Sequence, residues 1–156
     1  GYLKLKNWGL ETYPSIQKPR LEADDVMGIL ATNGSLDNFV LISPDKDMAQ
    51  IPCRIYDLKQ EYNQTPGAAK RLLYKQTLTG DSTDGYKGCV GIGPKRADQI
   101  LDKVKNEDYW PAVVSAYEEA EMTEADALRN FYLARILQAG DYDTDNQAPL
   151  FPHETV

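Results

Sequence analysis

Residues 79–97 restrict what this chain can fold into more than any other stretch. They read Thr79-Gly80-Asp81-Ser82-Thr83-Asp84-Gly85-Tyr86-Lys87-Gly88-Cys89-Val90-Gly91-Ile92-Gly93-Pro94-Lys95-Arg96-Ala97. Asp81 and Asp84 are hard oxygen ligands in a turn-rich setting, of the type that suits Mg²⁺ or Mn²⁺. Gly91-Ile92-Gly93-Pro94 predicts a tight turn opening a helix, with Pro94 at its first position and Lys95 and Arg96 in its first turn. A helix N-terminus preceded by glycine suits a phosphate. Side by side, the two features point to a metal-dependent enzyme that holds a nucleic-acid backbone. The plainer alternative is a polar loop ending in an ordinary helix start.

A chain of 156 residues is long enough for one domain with a real core. Its formal net charge of -7, from 24 acids and 17 bases, argues against a general nucleic-acid coat and against a polybasic membrane contact. A local basic face stays open. No apolar run is long enough to span a bilayer, and no secretory pattern is present. Cys53 and Cys89 form neither a disulfide framework nor a zinc spacing, so an intracellular setting is the default. Gly1 in place of Met points to a processed or engineered piece.

In chain order, residues 9–13 suggest a short strand stopped by Pro14. Residues 21–32 predict a helix with Leu21, Met27, Ile29 and Leu30 as its apolar set and Asn33-Gly34 as its stop. Glu22, Asp24 and Asp25 fall in its first turn, where carboxylates favour the positive helix end. Glu22 and Asp25 share a face there and should repel unless a cation sits between them. Residues 38–42 read as a buried central strand running into Asp45 and Asp47, the usual ligand position of an open α/β sheet. A helical turn over 48–51 and a strand over 54–58 follow. Thr65 caps a helix over 66–79 with Pro66 at its first position and Leu72, Leu73, Tyr74 and Leu78 on its buried face.

The next helix runs from Pro94 to about residue 104, striped by Ala97, Ile100, Leu101 and Val104. Another spans 107–121 with Trp110, Val113, Val114 and Tyr117 packing. Thr123 and Asp126 form a capping box that leads a helix to about residue 139 through Leu128, Phe131, Tyr132, Ile136 and Leu137, with Gly140 as its stop. Beyond residue 141 the chain reads as a polar tail docked through Leu150 and Phe151, with His153 as a surface residue. The layout is a partial α/β core over 1–62, a helical part over 63–140 and a tail over 141–156.

Three places thus offer acids: Glu22, Asp24 and Asp25; Asp45 and Asp47; Asp81 and Asp84. These seven match the formal net charge of -7 in number, but their placement at element ends is the stronger point. Such ends can converge at one side of a sheet, and seven like charges there would need cations. Two divalent ions ~3.5–4 Å apart are a standard solution for phosphodiester hydrolysis.

With these motifs the chain resembles the 5′ nucleases, the family of 5′–3′ exonucleases and flap endonucleases. Glu22-Ala23-Asp24-Asp25 resembles its helix motif, and Asp45-Lys46-Asp47-Met48-Ala49-Gln50 its strand-end motif. Gly80-Asp81-Ser82-Thr83-Asp84 with Gly91-Ile92-Gly93-Pro94-Lys95 resembles its third acidic pair joined to the helix–three-turn–helix. The form of residues 84–89 is most like the exonucleases of T7-like phages. The resemblance implies the C-terminal portion of a PIN-like α/β fold. It implies catalytic ligands Glu22 and Asp24 for a first Mg²⁺ or Mn²⁺, and Asp45, Asp47 and Asp84 for a second. Asp25 and Asp81 match outer metal-site members acting through water. Gly91, Ile92 and Gly93 would hold a phosphate of duplex DNA through backbone amides, and Lys95 and Arg96 would add charge. A K⁺ at the same turn is a further implied ligand.

The family's first strands, with two further Asp residues and a helical arch, have no counterpart in this sequence. The implied function is a 5′–3′ deoxyribonuclease or structure-specific nuclease acting on duplex DNA with a 5′ end or flap, in the cytoplasm of a bacterial host if phage-encoded. This chain would be an incomplete part whose N-terminal complement is a separate or longer chain. The alternatives are a duplex-binding piece with no activity of its own and an acidic α/β protein with no nucleic-acid role.

Overall fold

The computed structural model describes residues 1–150; Phe151 and His153 lie outside them. In chain order the elements are α1 (Tyr2–Thr12), α2 (Ala23–Thr32), β1 (Leu41–Ile42), a 3₁₀ turn (Lys46–Gln50), β2 (Arg54–Tyr56), β3 (Glu61–Asn63), α3 (Pro66–Thr79), α4 (Pro94–Leu101), α5 (Trp110–Glu119), α6 (Glu124–Ala134), a second 3₁₀ turn (Ala139–Asp141), β4 (Tyr142–Asp143) and β5 (Ala148–Pro149). They form two compact units, Gly1–Ser35 with Leu137–Val156, and Leu36–Ile136. The mix of helix and sheet is α/β, as the sequence predicts.

In the first unit, residues 9–13 end a helix rather than form a strand. Tyr2, Leu5 and Trp8 recur at near-helical spacing, the Tyr13 amide closes the last turn onto the Gly9 carbonyl (3.0 Å), and Pro14 falls just past the end, where proline stops a helix. No α1 residue is buried. Glu22 is the N-cap of α2 and forms a reciprocal capping box with Asp25, so their spacing serves backbone amides. Val26 and Ile29 are the buried side chains of α2; Leu21, Met27 and Leu30 are half-buried.

Within the expected tail, residues 142–149 form a two-stranded ribbon. Tyr142 pairs with Pro149 and Asp143 with Ala148 in an antiparallel ribbon. The Asp143 carboxylate accepts the Asp145 and Asn146 amides at its tip (2.9 and 3.0 Å), the usual turn chemistry of Asp. The Ala139 amide donates to the Thr32 hydroxyl at 2.8 Å, tying the second 3₁₀ turn to the end of α2.

In the second unit, β1 pairs parallel with β2, and β2 antiparallel with β3. β1 is shorter than expected and lies at an edge of the described sheet, with Ile42 60% exposed. Asn38, at φ 50°, bends the chain before it. The crossover from β1 to β2 carries the first 3₁₀ turn and buries Met48 and Ile51. β3, not expected from the sequence, follows a turn in which Asp57 accepts the Lys59 and Gln60 amides.

α3 starts as expected, the Thr65 hydroxyl accepting the Ala68 amide. α4 stops at Leu101 and turns tightly through Val104. α5 starts at Trp110, because Asn106 and Glu107 both take positive φ, which an α-helix excludes. α6 ends at Ala134, before the expected residue 139, and Arg135 is already extended. Leu78, Leu101, Val113, Tyr117 and Ala127 form the centre of the helical core, where a fully buried Leu or Val contributes ~1.5–3 kcal/mol. Arg71 of α3 pairs with Asp98 of α4 and with Asp102, the C-cap of α4 (2.9 and 2.6 Å), and Lys75 joins Asp98 (2.7 Å), clamping the two helices.

Candidate metal centre and phosphate-binding turn

The loop after α3 is closed at its neck by two glycines. Gly80 (φ +68°) and Gly88 (φ +65°) meet backbone to backbone, so a Cβ on Gly88 would fall within 2.6 Å of the Leu78 carbonyl oxygen. The Cys89 amide donates to that carbonyl at 2.9 Å. Inside the neck, Asp81 and Tyr86 exchange two backbone hydrogen bonds (3.0 and 3.1 Å). This closure returns Asp84 towards Asp81.

Asp47, at the other side, comes from the 3₁₀ turn after β1. Asp47, Asp81 and Asp84 each offer a carboxylate oxygen, and these oxygens lie within 4.8 Å of one another. Oxygens on opposite sides of an octahedral Mg²⁺ would stand roughly 4.2 Å apart, from a bond of about 2.1 Å. The donor set therefore fits a hard divalent cation after small side-chain rotations. Asp45 is exposed and caps the turn, accepting the Asp47 amide at 2.9 Å. Asp81 thus stands with Asp47 and Asp84, while Asp45 lies beside them.

The local fields differ sharply. The Lys46 ammonium donates to Asp81 at 2.8 Å and, with the Thr83 amide, holds that carboxyl down at about 2. Asp47 is pushed up, first by burial and then by the charge of Asp45, against the opposing pull of Lys46 and of Gln76. Gln76 Nε2 donates to Asp47 Oδ1 at 2.6 Å. The buried Tyr86 hydroxyl is pushed up to about 12, first by burial and then by the charges of Asp47, Asp81 and Asp84. The hydroxyl thus senses all three acids.

The second feature lies a few residues on. Gly91 takes φ +77°, Ile92 plugs the core at 7% exposure, and Gly93 is the N-cap of α4 with Pro94 in the first turn. Nothing lies within 4 Å of a Cβ built on Gly91 or Gly93, so the face is open. The first amides of a helix lack intrahelical partners and attract anions. Lys95 and Arg96 are exposed beside them; Arg96 reaches Glu119 at 3.8 Å.

Glu22, Asp24 and Asp25 belong to the first unit. Asp25 has both oxygens on backbone amides: Glu22 at 3.4 Å and Leu137 at 3.0 Å. Sequence reasoning missed Lys46 and Gln76 as partners of the acids, and Gly80 and Gly88 as the neck. One signal was available. Gln76 sits on the buried stripe of α3 with Ala69, Leu73 and Thr77, where an amide needs polar partners.

No family model matches the chain. Individual proteins do. The exonuclease of Escherichia phage T7 is 31% identical over 170 residues, covering 85% of this chain and 56% of the relative. The 5′-3′ exonuclease of Mycobacterium tuberculosis is 29% identical over 138 residues, 74% of this chain and 42% of the relative. The flap endonuclease Xni of Shewanella frigidimarina is 31% identical over 97 residues, 54% of this chain and 38% of the relative. The chain spans about half the length, or less, of these relatives. No helix among the described residues is long and apolar enough to cross a membrane.

Proposed function

The chain belongs to the 5′ nuclease family, and from that premise we propose that it carries the metal ligands and duplex grip of a metal-dependent 5′–3′ exonuclease or flap nuclease. The observation that carries this is the meeting of Asp47, Asp81 and Asp84 within 4.8 Å, in the same unit as the open turn at Gly91 and Gly93. Asp47, Asp84 and Asp81 would hold the cation, with Asp45 within reach of the same charge. Glu22 and Asp24 would hold another ion, as the family resemblance implies. When bound, divalent cations lower the pKa of water and neutralise charge on a leaving oxygen.

The protein's own part is positioning. The turn at residues 91–93, read as the core of a helix–three-turn–helix, presents amides to one phosphate, and Lys95 and Arg96 neutralise its neighbours. Such contacts fix register and carry no base identity. The products would be 5′-phosphorylated nucleotides or short oligonucleotides. Because the matched relatives are about twice as long, a second reading has this chain gripping duplex DNA without cleaving it until the rest of the fold is supplied.

Calorimetry with Mn²⁺ on the wild type and on Asp84→Ala tests the metal centre; equal heats from both would remove it. Duplex affinity measured across salt tests the grip. Lys95→Ala with Arg96→Ala should weaken binding of unrelated sequences equally and flatten the salt slope by about two charges. Cleavage of a 5′-labelled duplex, by the chain alone and joined to the first part of the fold, separates the two readings. Robust Mg²⁺-dependent cleavage by the chain alone would exclude the second.

A further inference from the structure

A chain of buried amides leads away from the metal centre. Gln50 is 3% exposed and Gln76 8%. Gln50 Nε2 donates to the Ala134 carbonyl at 2.6 Å and to Gln76 Oε1 at 2.7 Å. Gln50 Oε1 accepts the Ile136 amide at 3.0 Å. Gln76 Nε2 then donates to Asp47 Oδ1 at 2.6 Å.

The direction of every link is forced. A glutamine has an acceptor end and a donor end, and at the exit of α6 the Ala134 carbonyl and the Ile136 N–H both face Gln50. Gln50 must turn its NH₂ to Ala134 and its oxygen to Ile136. That NH₂ must then meet the oxygen of Gln76, which leaves the Gln76 NH₂ facing Asp47. Reversing either amide would set like ends against each other in a buried site, at the full cost of unpaired polar groups. The result is a donor aimed at one oxygen of Asp47, leaving its other oxygen for a cation. The same links satisfy the Ala134 carbonyl and the Ile136 amide where α6 ends.

We infer that Gln50 and Gln76 are positioning residues: a directed amide relay that orients Asp47 for metal binding and couples the metal centre to the exit of α6 at Ala134 and Ile136. The metal half rests on the proposed function above. Neither glutamine needs to touch the cation. Groups that orient ligands in this way typically set metal affinity by 10–100-fold.

The test compares the wild type with Gln76→Met, Gln50→Met and Val113→Ala. Methionine keeps the length and removes the polar ends, and Val113→Ala loosens the core away from the relay. Mn²⁺ affinity is read by calorimetry, and exchange of the Ile136 amide by NMR without metal. Gln76→Met should weaken Mn²⁺ binding about tenfold. Gln50→Met should weaken it several-fold through Gln76, and Val113→Ala should leave it unchanged. The Ile136 amide should exchange faster in Gln76→Met.

Mn²⁺ affinity within twofold of wild type in Gln76→Met overturns the orienting role. Unchanged Ile136 exchange overturns the coupling, and needs only that one variant to fold. Equal weakening in Val113→Ala reduces the relay to general stability and refutes it. If the wild type takes up no Mn²⁺, the metal centre fails, and faster Ile136 exchange would still establish the link from Gln76 to α6.

Discussion

Replacing Gly88 with alanine should break the loop that carries Asp81 and Asp84. Two costs add. A side chain at φ +65° carries roughly 1–2 kcal/mol of left-handed strain. The new Cβ would also meet the Thr79 carbonyl carbon at 2.5 Å, the Leu78 carbonyl oxygen at 2.6 Å and the Gly80 nitrogen closer still. All three are backbone atoms and cannot rotate aside, so overpacking of about 1–3 kcal/mol follows. The expected loss is about 2–5 kcal/mol in total.

Gly85 supplies the control. It has φ +80° and nothing within 4 Å of its Cβ position, so Gly85→Ala should lose only the roughly 1–2 kcal/mol of strain. Urea unfolding followed through Trp110 fluorescence, in a Trp8→Phe background, reads both. The Gly88→Ala midpoint should fall about 1–2.5 M at a mid-range slope of about 2 kcal/mol/M. Mn²⁺ binding should fall with it, because the neck sets where Asp84 returns. A Gly88→Ala protein no less stable than Gly85→Ala would refute the reasoning.

Other outcomes follow from single contacts. Tyr117→Phe removes the 2.6 Å donor to the Thr77 carbonyl, a helix-end acceptor inside the core, and urea unfolding should show a loss of about 1–3 kcal/mol. Lys46→Ala should let the Asp81 carboxyl titrate up from about 2 towards the usual ~3.9. Carbon NMR of the carboxyl would show it, and Mn²⁺ should bind more tightly once the ammonium stops competing. Asp98 is held below the usual carboxylate range by Lys75 and then Arg71. A lowered acid stabilises the fold above its unfolded value and loses that contribution as pH falls through its folded one. Wild-type stability should therefore decline below about pH 4, and the decline should be shallower in Asp98→Asn.

What the sequence revealed was what local chemistry decides. Thr65 with Pro66, and Thr123 with Asp126, start their helices by bonds to amides within three residues, so those starts were legible. The turn at Gly91 to Pro94 was legible because glycine admits the positive φ and proline suits the first helical position. The end of α6 was not, because the Ala134 carbonyl there is satisfied by Gln50 from 84 positions away. The edge position of β1 was equally hidden, since pairing partners are not written in a strand's own residues. In the candidate site the acids could be named, but the distribution of their roles could not. Asp25 spends its oxygens on two amides and Asp81 is held by Lys46, and both facts depend on neighbours that only the folded backbone supplies.

The clamp of Arg71 and Lys75 on Asp98 and Asp102 joins the helix that braces Asp47 to the helix that opens at the proposed phosphate grip. On the proposed function, a duplex seated there would meet a caliper: one jaw on a backbone phosphate, the other at the bond to be cut. The number of nucleotides between the jaws would then be a property of the protein, and product lengths would be uniform across sequences. The caliper's rivet is ionic and partly exposed, so salt should loosen it. High ionic strength would then blur the product ladder, as an effect separate from weaker DNA binding.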